Sequence, residues 1–359
     1  MAEPTANTPA ALGFYMPAEW HPHDATWLSW PKDPETWPDR VTQVQEIYLQ
    51  MIAALAPHEI VNLLVDDVET EEMVRERCGP AIAANIRFHH LQTVDAWIRD
   101  YGPNFLIGPQ GQLAYNDWVF NAWGNKYEEL KKDDSIPSRL EPALKLRRFS
   151  PGIVMEGGSI EVNGAGCVLT SEQCLLNPNR NPQLSQDEIE QYLKDYLGVT
   201  KVLWLGEGIV GDDTDGHIDD IARFVAADVI VCAIEEDTTD ANYEILQDNF
   251  ARLRSMTDAS GSPFEIVALP MPGVVGGSST GARDLERLPA SYANFYIANS
   301  VVLAPVFGHT NDARAVETLQ KFFPTRRVIP INCEPLVWGM GTIHCVTQQQ
   351  PRSSAFIRG

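Results

Sequence analysis

Four apolar hairpins of one design recur along this chain, and they limit its fold more than any other feature. They cover residues 104–117, 159–172, 222–234 and 294–307, so they start about 55 to 72 residues apart. Each reads as strand, a few turn residues, strand. A polar cluster stands just before three of them: DAWIRDYGP, MEGG and DTDGHIDD. Apolar residues at helical spacing predict helices over 36–56, 68–77, 185–198, 239–256 and 312–323. Ser185 with Glu188 three residues on reads as a capping box, and Pro324 ends the last helix. Hairpin, helix and strand therefore repeat loosely as ββαβ units. Such units set around an axis would bring their polar clusters to one centre. An ordinary α/β domain with four hairpins fits the same pattern.

The chain has 359 residues, 44% hydrophobic and 21% charged, which is globular composition. No linker or low-complexity tract divides it. We expect a single domain over 1–359, with a short flexible N-terminus of about residues 1–12. No apolar run reaches the length of a membrane span. The net charge of −22 repels phosphate backbones and disfavours nucleic-acid binding. It favours a cationic ligand. The N-terminus has neither a basic region nor a sustained apolar core, so no secretory signal is read there. Six cysteines without a C-x-x-C pair suggest neither a disulfide framework nor a zinc framework. The expected setting is reduced and cytoplasmic, with at least one thiol free to react.

Cys345 is the first candidate. It follows a Gly-rich turn (Gly339, Gly341) and precedes a Gln run closed by Pro351. A nucleophilic thiol there would need a base or cation to ionise it. His344 would point the other way if both sat on a strand. Cys167, Cys174 and Cys232 fall in apolar strand patterns and read as core; Cys78 and Cys333 have no evident partner. His217 is the second candidate. It lies in a carboxylate-rich segment, two residues before Asp219, so on a strand the two would share a face. A His among carboxylates is expected to have a raised pKa suited to acid–base work. A solvated acidic loop, or a zinc-binding H-x-D pair, are the other readings. No Glu stands where a calcium loop needs its twelfth ligand. Asp95, Trp97 and Arg99 alternate as on a strand, and a carboxylate beside an indole suits a planar cation. An internal Asp–Arg pair is the alternative. Glu156 precedes two glycines at a tight turn. Trp20, Trp27 and Trp30 near the start read as packing.

One thiol, one His and several carboxylates, without a metal or phosphate motif, suit one reaction. Paired carboxylates hold a guanidinium, a thiolate attacks its central carbon, and a His protonates the departing ammonia and then activates water.

Six motifs in order now carry a resemblance: MPAEWHPHDATWLSWP, DAWIRDYGPNF, MEGGSIEVNG, DDTDGHIDDIARF, SYANFYI and IHCVTQQQP. Together they resemble the agmatine deiminase family, kin of the bacterial-type peptidylarginine deiminases. The resemblance implies the pentein fold, an α/β propeller of five pseudo-repeated ββαβ units. It implies Cys345 as nucleophile, His217 as general acid–base and Glu156 as its supporting carboxylate. It implies Asp95 and Asp219 as the pair gripping the guanidinium, with Trp97 beside them and Asp213 near the substrate's far amine. The reaction implied passes through an S-alkylthiouronium, needs no cofactor or metal, and turns agmatine into N-carbamoylputrescine and ammonia for putrescine synthesis. Other guanidino substrates (peptidyl-arginine, an arginine derivative) and an inactive binding protein are the alternatives. The expected partner is a small cationic guanidino compound, with neither nucleic acid nor membrane; a homo-oligomer is compatible with the sequence. Asp215 and Asp220 stand where many members have Asn. The segment 118–127, with Trp123 and Gly124, is the candidate lid.

Overall fold

The computed structural model describes residues 7–276 and 287–353. Its strands fall into five separate small sheets. Four of these are the predicted hairpins, each with one further strand added in parallel. Asn104–Ile107 and Leu113–Asn116 pair antiparallel, and Arg147–Phe149 joins the second of them. Glu161–Val162 and Cys167–Ser171 take Lys201–Leu205. Ala222–Ala226 and Val229–Ile234 take Glu265–Pro270. Tyr296–Ile297 and Val301–Val306 take Arg327–Asn332. The chain is a mixed α/β protein built from repeated ββαβ units.

The fifth sheet has the same antiparallel-then-parallel order, but its first pair comes from opposite ends of the chain. Gln348–Pro351 runs antiparallel to His23–Ser29, with Trp27 opposite Gln348. Ile60–Val65 lies parallel to His23–Ser29, and Ile86–His90 extends the sheet. No local hairpin signal could announce this unit, because its two strands are about 320 residues apart in sequence. The pairing also explains the Gln run. Gln349 accepts from Arg99 Nη1 at 2.7 Å and Gln350 from Trp27 Nε1 at 2.9 Å.

Helices fill the space between strands and bury one stripe each. Val41–Leu55 buries Val44, Ile47, Tyr48, Met51, Ile52 and Leu55. It starts later than the periodicity suggests, since Asp39 after Pro38 takes φ 59°, outside helical geometry. Gln186–Leu197 has the expected Ser185–Glu188 capping box and ends at Gly198 with φ 67°. Tyr243–Ser255 starts after Thr239, whose N–H is taken by Asp237 Oδ1 at 2.9 Å. Val68–Cys78 and Asp312–Phe322 match their predicted spans within one residue.

Of the segment expected to be flexible, residues 1–6 lie outside those described, and the rest is packed. Ala10–Leu12 forms a turn of 3-10 helix against Gln186–Leu197, and Tyr15 exchanges backbone bonds with Ile107. Apolar Phe14 and Met16 anchor it in the core.

What positions the site is the link before each hairpin. The polar clusters are short helical turns, not strands: Ile98–Tyr101, Gly157–Ser159 and Ile218–Asp220. The first packs on the second and the second on the third. The alternation expected for Asp95, Trp97 and Arg99, and the shared strand face expected for His217 and Asp219, are therefore replaced by turns. Gly102 and Gly158 allow these turns to close onto neighbouring groups that a Cβ would strike.

Candidate active site

A cavity of about 480 Å³ opens where these turns meet, and Asp95, Trp97, Asp100, Trp123, Asp213 and Cys345 line it. Cys345 sits in the turn before Gln348–Pro351 and is 7% exposed. A Cβ on Gly341 would lie 2.7 Å from the Trp97 ring and 3.1 Å from Cys345 Sγ, so only glycine lets this backbone pass both. Asn294 Nδ2 lies 3.1 Å from the sulfur, and Asp219 Oδ2 lies 3.7 Å from it. His217, Glu156 and Asp219 stand behind the cavity wall, all at 1% exposure or less.

His217 faces Asp100, with Nδ1 3.9 Å from Oδ1. Its backbone N–H donates to Asp212 Oδ2 at 3.1 Å, part of a loop in which Asp212 also takes the N–H groups of Thr214 and Gly216. Asp215, at φ 68°, caps the loop and binds Arg180 Nη1 at 2.7 Å and Asn179 Nδ2 at 2.9 Å. Arg180 reaches on to Glu156, whose Oε1 accepts from Nε at 2.6 Å. Glu156 Oε2, His217 Nε2 and Asp219 Oδ1 have no hydrogen-bond partner among the described residues.

Burial dominates the electrostatics. It holds His217 down at about 3, and the Asp219 charge opposes this only in part. The raised pKa expected from neighbouring carboxylates is therefore not found: the imidazole is neutral, because water is excluded from it more completely than charge is supplied. Burial, with Asp219 and Glu156 nearby, pushes Asp100 well above the usual carboxylate range. Burial does the same to Asp220, next to Asp219, and lifts Asp95 to about 7. The Cys345 thiol is pushed well up by burial and then by Asp219, Asp220 and Asp100. The site buries more carboxyl groups than its own cations could balance if all were ionised.

Asp95 lines the cavity, but both its oxygens are already engaged. Oδ1 accepts from the Ala96 N–H at 2.8 Å, and Oδ2 from Thr36 Oγ1 at 2.6 Å and Trp97 Nε1 at 2.9 Å. Asp100, five residues on, sits closer to the reacting groups. Its Oδ1 accepts from the Gly158 N–H and its Oδ2 from Trp123 Nε1, both at 2.9 Å. The sequence offered both acids in one motif and gave no reason to choose. Asp213 lies at the cavity edge, where Tyr127 donates to it at 2.5 Å. The segment read as a lid forms a wall: Ala122, Trp123, Gly124 and Asn125 all have positive φ, and Lys126 binds Asp215 at 2.8 Å. Cys333, read as a loop residue, is fully buried.

Donor atoms of Glu156, Cys174 and His217 lie within 4.8 Å of one another, as do those of Asp219, Asp220 and Cys345. In the first group the Arg180 guanidinium already supplies the charge a metal would bring. In the second, His344 occupies Asp219. The donor sets assign no metal.

Residues 15–351 match the Porphyromonas-type peptidyl-arginine deiminase family. An agmatine deiminase of Ectopseudomonas mendocina is 38% identical over 362 residues, covering 96% of this chain and 97% of that one. The structure of the Enterococcus faecalis agmatine deiminase superposes with a TM-score of 0.89 at 35% identity, covering 98% of this chain and 100% of that one. A DDAH from Pseudomonas aeruginosa, at 12% identity and a TM-score of 0.50 over 91% of this chain and 99% of that one, shares the fold alone. With matches running almost end to end, this chain belongs to the family of agmatine deiminases and Porphyromonas-type peptidyl-arginine deiminases.

Proposed function

We propose that this protein is an agmatine deiminase, hydrolysing agmatine to N-carbamoylputrescine and ammonia through a covalent intermediate on Cys345. The observation that carries this is the charge imbalance around a cavity-lining thiol. Asp95, Asp100, Asp219, Asp220 and Glu156 are all buried near or behind Cys345, and burial pushes several toward the neutral form. A guanidinium entering the cavity supplies the missing positive charge and donates hydrogen bonds to these carboxylates from a planar fork. Asp219 and Asp100 are best placed to grip it, with Asp95 and Trp97 on the cavity wall.

The same cation lowers the cost of ionising Cys345, which no cation of the protein touches among the described residues. The neutral His217, with Nε2 unpartnered, takes the thiol proton. Sulfur then bonds to the guanidinium carbon. His217 returns the proton to the departing nitrogen, the C–N bond breaks, and ammonia leaves an S-alkylthiouronium. Water, deprotonated by His217, attacks the same carbon, and the C–S bond breaks to release the ureido product. Glu156, anchored by Arg180, stabilises the His217 imidazolium during each transfer. These steps use only side chains of the chain and no cofactor.

The tail preference rests on the mouth of the cavity, where Asp33, Glu35, Glu128, Glu129 and Asp213 contribute carboxylates. No Lys or Arg is among its described lining residues. An amine tail suits that mouth, and an α-carboxylate does not. Putrescine synthesis in a reduced, cytoplasmic setting is consistent with such an activity. The five sheets of common strand order, one of them tied from both chain ends, support a single catalytic domain arranged as a five-bladed propeller.

Ammonia release decides the matter. Agmatine, free arginine and a peptidyl-arginine are each incubated with the wild type and with Cys345→Ala. Release from agmatine, abolished by the substitution, is expected. Release only from another guanidine would keep the chemistry and replace the substrate; no release from any would reject the reading.

A further inference from the structure

His344 adjoins Cys345 in the chain but takes no part in the steps above. Its ring is 1% exposed. Nδ1 lies 2.7 Å from Asp219 Oδ2, and Nε2 lies 2.8 Å from Glu19 Oε2. An ionised carboxylate only accepts, so two such contacts need two N–H donors, which only the imidazolium has. The Asp219 oxygen held by His344 is the one beside Cys345 Sγ. The other, Oδ1, is left without a partner among the described residues. The backbone is fixed as well: the His344 N–H donates to Asn294 Oδ1 at 2.9 Å, and Arg99 Nε donates to the His344 carbonyl at 3.2 Å.

We propose that His344 is a positioning residue: a buried imidazolium, braced by Glu19, that keeps Asp219 ionised and leaves one of its oxygens free for the guanidinium. This role rests on the deiminase reading. Asp100, Asp220, His217 and Arg223 are the other titratable or charged groups near Asp219, and the two acids favour protonating it. His344 is the cation in direct contact that opposes them. Burial would raise Asp219, yet the hydrogen bond and charge of His344 hold it below the usual carboxylate range. Glu19 makes the buried imidazolium tolerable, and is itself held by Arg223 at 3.0 Å and Arg99 at 3.5 Å. Glu161 balances Arg223 from its other side at 3.0 Å. A string of buried charges thus runs from Glu19 through His344 and Asp219 to the nucleophile.

The test combines an ¹⁵N spectrum of histidine-labelled wild type with pH profiles of His344→Gln and Glu19→Gln. One histidine, assigned by its absence in His344→Gln, should show both ring nitrogens carrying protons, as its two carboxylate contacts require. Removing a cation raises the proton affinity of Asp219, so its ionised form is lost at higher pH. The acid limb of kcat/KM should therefore move up by about one unit or more in His344→Gln, and less in Glu19→Gln. In a Cys345→Ala background, adding His344→Gln to Asp219→Asn should change agmatine affinity by less than about twofold, because the two act as one. A neutral His344, an unmoved acid limb, or losses that multiply would each overturn the proposal. Should His344→Gln not fold, His344→Asn supplies the assignment, and the pH profile of Glu19→Gln decides the role. Should the wild type release no ammonia from agmatine, the deiminase reading fails, while the spectrum still judges the imidazolium.

Discussion

Gly158→Ala is the most informative single perturbation, since one added carbon meets three groups of the site at once. The new Cβ would lie 2.6 Å from His217 Nδ1, 2.9 Å from Asp100 Oδ1 and 3.1 Å from Asp219 Oδ2. Ordinary contact begins near 3.4 Å. His217 must then retreat by about 0.8 Å, Asp100 by about 0.5 Å and Asp219 by about 0.3 Å, if the backbone stays fixed. All three are buried among packed neighbours, so such shifts cost about 1–3 kcal/mol as overpacking. A displacement approaching 1 Å in a reacting group costs about 100-fold in rate. We expect Gly158→Ala to fold, to lose about 1–3 kcal/mol of stability in urea titration, and to lose about 100-fold in kcat for ammonia release. Gly152→Ala is the control. Its Cβ meets nothing within 4 Å, but its φ of 77° costs a side chain about 1–2 kcal/mol. It should lose comparable stability and keep its rate. A Gly158→Ala enzyme turning over within about twofold of wild type would refute the claim that His217, Asp100 and Asp219 work as one packed constellation.

Cys345→Ser and His217→Ala should each reduce kcat by at least about 100-fold with the fold intact by circular dichroism; a near-normal rate in either removes that residue from the mechanism. Asp100→Asn should raise KM and lower kcat by at least about tenfold, and more than Asp95→Asn does, because Asp100 lies beside His217 and close to Asp219 and Glu156 whereas Asp95 is held by Thr36, Ala96 and Trp97 on the cavity wall; the reverse order would return the gripping role to Asp95. Burial lifts Asp95 to about 7 and pushes Asp100 well above the usual carboxylate range, so below neutrality Asp95 holds a proton that a bound guanidinium must displace. Agmatine binding to Cys345→Ala should therefore release protons near pH 6 and tighten toward pH 7.5, as read by calorimetry in buffers of different ionisation enthalpy; no proton release would contradict this. Without substrate, neutral iodoacetamide should modify half-buried Cys78 before Cys345, whose thiol burial pushes well up. Mass spectrometry of the labelled peptides reads this order, and Cys345 reacting first at neutral pH would show an ionised thiol.

Local signals were enough to place most of the fold. Alternating apolar residues, turn residues between them and helical spacing act over a dozen residues or fewer, and they located four hairpins and five helices. The polar clusters before the hairpins were legible as well, because polar residues beside glycine-bounded turns contrast with apolar strands. The helix over Gln186–Leu197 was readable to its cap, since capping is itself a local interaction.

The remainder depended on contacts between distant residues. The fifth sheet joins His23–Ser29 to Gln348–Pro351, and no periodicity within either strand names its partner. A strand would turn His344 away from Cys345; a turn places it between Asp219 and Glu19 instead. The ionisation of His217 is hidden from the sequence for a related reason. Sequence shows which charges are near along the chain, whereas burial, which fixes its proton affinity here, exists only once the chain has packed around it. Residue types and their local order are thus set by the sequence itself. Which carboxylate grips, which His is neutral and which charged, and how far the thiol is from water are properties of the packed whole.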